Sequence, residues 1–67
     1  YNRTIERAGK RAGARSVWYY ADEKLLAVDA MNDGATYMIA SRLLKAGLNP
    51  PPARVRDPEL DLKSLLA

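Results

Sequence analysis

Residues 16–33 read SVWYYADEKLLAVDAMND. Ser16–Ala21 is rich in β-branched and aromatic residues and is bounded by charge, which predicts a strand. Leu25–Met31 predicts a second strand. Asp22-Glu23 lies between them, and no Gly is present to supply positive φ, so a turn lengthened by Lys24 is expected rather than a two-residue loop. A turn centred on Asp22-Glu23 sets Tyr19 opposite Leu26 and Val17 opposite Val28. Trp18 and Tyr20 then share the other face with Leu25 and Ala27, and a slip of one residue would exchange the faces. In either register neither face is polar, so both need cover.

Upstream, residues 2–8 (NRTIERA) alternate weakly and predict a first strand. Gly9-Lys10-Arg11-Ala12-Gly13 reads as a loop, with two glycines and cations that prefer water. Downstream, Asn32 or Asp33 is placed to cap a helix over Gly34–Ala46. Ala35, Met38, Ile39, Leu43 and Ala46 recur there at helical spacing, beside a stripe of Tyr37, Ala40 and Leu44. Gly47 suits a left-handed C-terminal cap, and Arg42 and Lys45 suit the negative pole of the helix. Asn49-Pro50-Pro51-Pro52 forms a stiff connector. One helical turn is predicted over 53–57, ended by Asp57-Pro58. Asp61 then caps a short helix containing Leu62, Leu65 and Leu66. The fold class is α+β: an antiparallel meander of about three strands, part of a larger sheet, followed by one main helix and a short C-terminal helix.

With 67 residues there is room for one domain at most. A domain of this size buries only about 60% of its unfolded surface. The sequence contains no Cys and no His. Disulfides, thiolate or imidazole metal ligation and histidine-based catalysis are therefore excluded. The first residue is Tyr rather than Met, which leads to the expectation that residues 1–67 are a single partial domain of a larger protein.

Net charge is +3 and unevenly spread. Arg3, Arg7, Lys10, Arg11 and Arg15 face only Glu6 within the first 16 residues. The segment GKRAGAR lacks the phosphate-loop spacing, and a solvated hairpin loop accounts for it more simply than nucleic-acid binding. Asp29 interrupts an apolar strand with no second acid predictably beside it. A structural bond to Ser16 or Arg15 across the sheet is the simpler account than a catalytic carboxylate pair. Trp18 reads as core or interface packing before ligand stacking. Asp57, Glu59 and Asp61 read as caps and solvated surface. No catalytic, cofactor-binding or metal-binding residue is assembled from these parts.

The order SVWYY-ADEK-LLAVDAMND, a helix with Tyr37-Met38 and Arg42-Leu43-Leu44 ending in Ala46-Gly47, and a tail Asp57-Pro58…Asp61-Leu62-Lys63-Ser64-Leu65-Leu66 resembles a known family. It is similar to the C-terminal domain of FAD-dependent NAD(P)H reductases that serve ferredoxins and rubredoxins, over roughly residues 15–66. That family often has Pro where this chain has Gly34. The resemblance implies a cytoplasmic parent flavoprotein whose upstream domains bind FAD and NAD(P)H, with a C-terminal sheet of about five strands. It implies an oxidoreductase passing electrons to an iron–sulfur acceptor, with this fragment structural or docking in role and holding no cofactor itself. Lys10, Arg11 and Arg15 are the candidate residues for steering an acidic acceptor, on charge complementarity. A stand-alone dimerisation or interaction module, pairing through sheet edges, is the rival expectation. A nucleic-acid or membrane partner is not expected.

Overall fold

A computed structural model describes residues 1–10 and 12–66 of the chain. Strands β1 (Arg3–Ala8), β2 (Arg15–Ala21) and β3 (Lys24–Met31) are followed by helices α1 (Gly34–Ala46) and α2 (Pro52–Arg56) and a terminal 3-10 helix, Leu62–Leu66. The strands form one antiparallel sheet in the order β1-β2-β3. The α+β class expected from the sequence is the one observed.

The turn differs from expectation. Asp22 and Glu23 alone link the strands, because Ala21 pairs with Lys24. Asp22 supplies the positive φ, at 54°, that no glycine is present to give. Aspartate tolerates this region better than most residues. Asn2 braces it from β1's approach: its Nδ2 donates to Asp22 Oδ1 at 3.0 Å, and its Oδ1 accepts from the Asp22 amide at 3.0 Å.

The register also departs from the simple count. Tyr20 lies opposite Leu25 as expected, but Tyr19 then lies opposite Ala27, Trp18 opposite Val28 and Val17 opposite Asp29. Leu26 is the extra residue of a β-bulge. The bulge moves Val28 to the side of Trp18, Tyr20 and Leu25, in place of the smaller Ala27. That side becomes the core. Ile5, Trp18, Tyr20 and Leu25 pack there with Leu43, Val55, Leu62 and Leu65, and Val28 is packed against them.

The opposite face of the sheet is mixed rather than apolar. Val17, Tyr19, Ala27 and Met31 share it with Asp29 and with an ion pair between Glu6 and Arg15. Asp29 does not bond Ser16 or Arg15. It accepts a hydrogen bond from the Tyr19 hydroxyl at 2.9 Å, because the bulge brings it to the outer face beside that residue. The Tyr1 ring meets Tyr19 edge to face at 5.0 Å. Ser16, fully buried on the core side, accepts from Trp18 Nε1 at 3.0 Å instead.

Helix α1 begins at Gly34 with Asp33 as its cap. Asp33 Oδ1 accepts from the Thr36 amide at 3.2 Å, and Oδ2 accepts from the Thr36 hydroxyl at 2.6 Å. The buried stripe is Thr36, Ala40 and Leu43, with Ile39 partly buried. It is rotated from the stripe expected from spacing, leaving Ala35, Met38 and Ala46 exposed. Thr36 turns inward because its hydroxyl is satisfied by the cap, and Ala40 permits close approach to the sheet. Gly47 closes the helix at φ 70°, and the Leu48 amide donates to the Leu43 carbonyl at 3.0 Å.

The proline connector is docked rather than merely stiff. Tyr20 donates to the Pro50 carbonyl at 2.7 Å, and Asn49 Oδ1 accepts from the Leu25 amide at 3.0 Å. Helix α2 starts one residue earlier than expected, with Pro52 in its first turn, where a missing amide hydrogen costs nothing. Asp57 ends it in extended backbone, ahead of Pro58. Asp61 Oδ1 accepts from the Lys63 amide at 3.1 Å, which makes it the cap of the 3-10 helix.

Candidate docking groove

The side chain that joins the two ends of the fold is Arg7, on β1. Its Nη1 donates to the carbonyls of Val55 at 2.7 Å and Asp57 at 2.9 Å, and its Nη2 donates to that of Leu60 at 3.0 Å. These carbonyls belong to the end of α2 and the turn after it, where backbone acceptors lack helical partners. A planar, permanently charged fork suits three such acceptors. In the sequence, Arg7 was only one of five clustered cations. No local spacing links it to a tail 48 or more residues away, so its role was not legible there.

Above Arg7 a groove of about 650 Å³ opens between the β1–β2 loop, the start of α1 and the tail. Ile39, Leu60 and Leu62 line its floor, with Lys10 and Lys63 among the lining residues. The loop is held by a hydrogen bond from the Gly9 amide to the Ala14 carbonyl at 2.7 Å. Gly9 has no room for a side chain. A Cβ there would stand 2.6 Å from Ala14 Cβ and 2.8 Å from Asp33 Oδ2.

Of the three cations singled out in the sequence, Lys10 lines the groove. Arg15 does not; it is occupied by Glu6 on the other side of the sheet, as β-strand alternation and the cross-strand pairing require. Arg11 lies outside the described residues. Lys63, which spacing did not single out, joins Lys10 because the tail folds back over β1. Among the described residues neither Lys10 nor Lys63 has an ion-pair partner; Asp33 and Asp61 line the same groove, and their carboxylates act as helix caps.

The titration of two tyrosines is displaced. Asp29 raises the Tyr19 phenol above its ordinary 10.0, by accepting its proton in a hydrogen bond first and by burial second. Burial, with a smaller effect from Glu23, pushes Tyr20 up to about 12. Both phenols are structural: one ties β2 to β3, the other ties β2 to the proline connector. No cluster of three or more potential metal-ligating side chains occurs among the described residues. None of their helices is long and apolar enough to cross a membrane.

The chain is an α+β domain whose β1–β2 loop, α1 and tail build a groove. The protein-family model described as "Reductase C-terminal" matches residues 1–66, and the chain belongs to that family: it is a C-terminal domain of pyridine nucleotide-disulfide oxidoreductase-type reductases. No solved structure matches the chain.

Proposed function

We propose that the parent protein is a cytoplasmic FAD-dependent NAD(P)H reductase that passes electrons to a ferredoxin- or rubredoxin-type iron–sulfur protein. Residues 1–67 are its C-terminal interface domain, with the FAD and NAD(P)H domains upstream. Family membership supports the reductase part of this reading. The observation that carries the docking part is the groove, where Lys10 and Lys63 flank an apolar floor. Such a surface suits an acidic partner: paired cations steer its approach and the apolar floor holds it after contact.

The residues of this chain do not themselves fit a flavin or a nicotinamide dinucleotide. The sequence has no glycine-rich phosphate fingerprint. Among the described residues no buried side-chain polar atom is left without a partner for such a group to satisfy. When bound elsewhere in the parent, the flavin supplies the electron chemistry. This domain's part is to place and shield.

The reading is tested on the natural full-length product. Visible flavin bands that bleach on anaerobic addition of NADH or NADPH are expected, and a colourless protein that binds no flavin would overturn the reading. A stand-alone dimerisation module is the second reading. It is favoured by the two outer strands, β1 and β3, that the three-stranded sheet leaves at its edges. Sedimentation of the 67-residue chain as a dimer would support it.

A further inference from the structure

Helix α1 carries more apolar surface than the sheet uses. Thr36, Ala40 and Leu43 turn to the sheet, and Ile39 is partly buried against the core. Ala35, Met38 and Ala46 share the helical spacing of Ile39 but are exposed. Met38 is 60% exposed. A second apolar stripe beside the one that meets the core is surface for a neighbouring element to bury.

The 3-10 helix packs along this side of α1 and leaves the stripe uncovered. Between the two lies a trough of about 350 Å³, lined by Ala35, Met38, Ile39, Arg42, Lys63 and Leu66. Its α1 wall, from Ala35 to Arg42, runs for about two turns, or roughly 10 Å. The neighbouring groove shares Ala35, Ile39 and Lys63 with it, but also carries Asp33 and Asp61. The trough has no acid among its lining residues. It has one cation on each wall, Arg42 from α1 and Lys63 from the 3-10 helix. Among the described residues neither is in an ion pair.

Form and charge together specify an occupant. A channel running along a helix is filled by another helix laid beside it, with side chains interdigitating. Ala35 leaves room for its backbone at one end, and the unbranched Met38 adjusts to the side chains it meets. A cation on each wall calls for carboxylates on both flanks of an apolar stripe.

We propose that the trough between α1 and the 3-10 helix docks an amphipathic helix of a partner protein, about two turns long, whose apolar stripe is flanked by Asp or Glu. Its apolar side chains lie over Ile39 and Leu66 beside Met38, and its carboxylates meet Arg42 and Lys63. The site goes beyond the docking read for the neighbouring groove, because Met38 and Arg42 line only the trough.

The test uses the natural full-length protein and a fluorescently labelled synthetic peptide of about 15 residues, long enough to hold a helix. The peptide has Leu at i, i+3, i+4 and i+7 with Glu on both flanks, and a matched peptide has Lys in place of Glu. Anisotropy is expected to show saturable binding of the Glu peptide only. Arg42→Glu with Lys63→Glu should weaken that binding at least about tenfold and confer binding of the Lys peptide. Ala35→Trp, which fills the trough, should abolish binding, and Tyr37→Ala, outside it, should leave binding unchanged. Absence of Glu-peptide binding overturns the proposal. So does equal binding of the two peptides, or Glu-peptide binding that survives the charge reversal. Displacement of the Glu peptide by an equal concentration of decanoate identifies a small apolar carboxylate as the occupant and overturns it too. Peptide binding is read without the flavin, so a colourless protein that binds the Glu peptide upholds the site and removes the reductase reading; a flavoprotein that fails to bind it does the reverse.

Discussion

Arg7 holds the Val55 carbonyl at 2.7 Å, so a residue of the first strand fixes the end of the second helix. The same guanidinium reaches Asp57 and Leu60, and the route of the tail over the sheet depends on it. Replacing Arg7 by Ala should cost about 2–3 kcal/mol, the scale of hydrogen bonds to a charged group. Arg7→Lys keeps the charge but not the fork, and should recover less than half of the loss. Urea unfolding followed by Trp18 fluorescence measures both; equal stability of Lys and Arg at this position would refute the fork argument.

Two glycines should respond in opposite ways to the same change. Gly9→Ala drives a methyl group into Ala14 and the Asp33 carboxylate, and should destabilise by roughly 1–3 kcal/mol. Gly34→Ala meets nothing within 4 Å and should stabilise by about 0.5 kcal/mol through the unfolded state. Thermal unfolding of the two variants side by side gives the comparison.

Alkaline stability should follow Tyr20. Its hydroxyl is held to Pro50 in the folded protein, and burial raises its pKa to about 12 against the ordinary 10.0. The folded state thus keeps a proton that the unfolded state releases earlier. The stabilisation is complete below pH 10 and is lost as pH rises from there towards 12. Tyr20→Phe should remove much of the decline in that window, as read from denaturant midpoints at a series of pH values.

The groove cations should act on one partner only. In the full-length protein, Lys10→Ala with Lys63→Ala should slow reduction of an acidic iron–sulfur acceptor several-fold at low salt. The difference should shrink as salt screens the approach. Direct reduction of a small neutral dye should be unchanged. Stopped-flow rates at two ionic strengths separate these outcomes. Arg15→Ala should leave the acceptor rate as it was, because Arg15 is engaged with Glu6 away from the groove.

The strands, the main helix and both ends of that helix were legible in the sequence because their signals are local. β-Branched and aromatic residues bounded by charge announced β2, an apolar run after the charged break announced β3, and Asp33 and Gly47 stood where helix ends require them. The bulge at Leu26 was not legible. It trades Ala27 for Val28 in the core, a choice made by packing against Trp18 rather than by neighbours in sequence. The two-residue turn was missed because Asp22 does a glycine's work with help from Asn2, 20 residues away. The groove was half seen. Lys10 lay in an evident loop, but Lys63 reaches it only because Arg7 brings the tail back.

Gly9 has one further consequence, for motion. Its backbone lies against the Asp33 carboxylate with no side chain between them, and its chain neighbour is Lys10. That carboxylate holds the first turn of α1 through Thr36. The loop is therefore packed directly against the cap of the helix, and a displacement of one would bear on the other. A partner that draws Lys10 towards itself must either slide Gly9 across the cap or carry the start of α1 with it. Contact at the rim would then be felt along the helix above β3, and relaxation measurements on the Thr36 amide would register it.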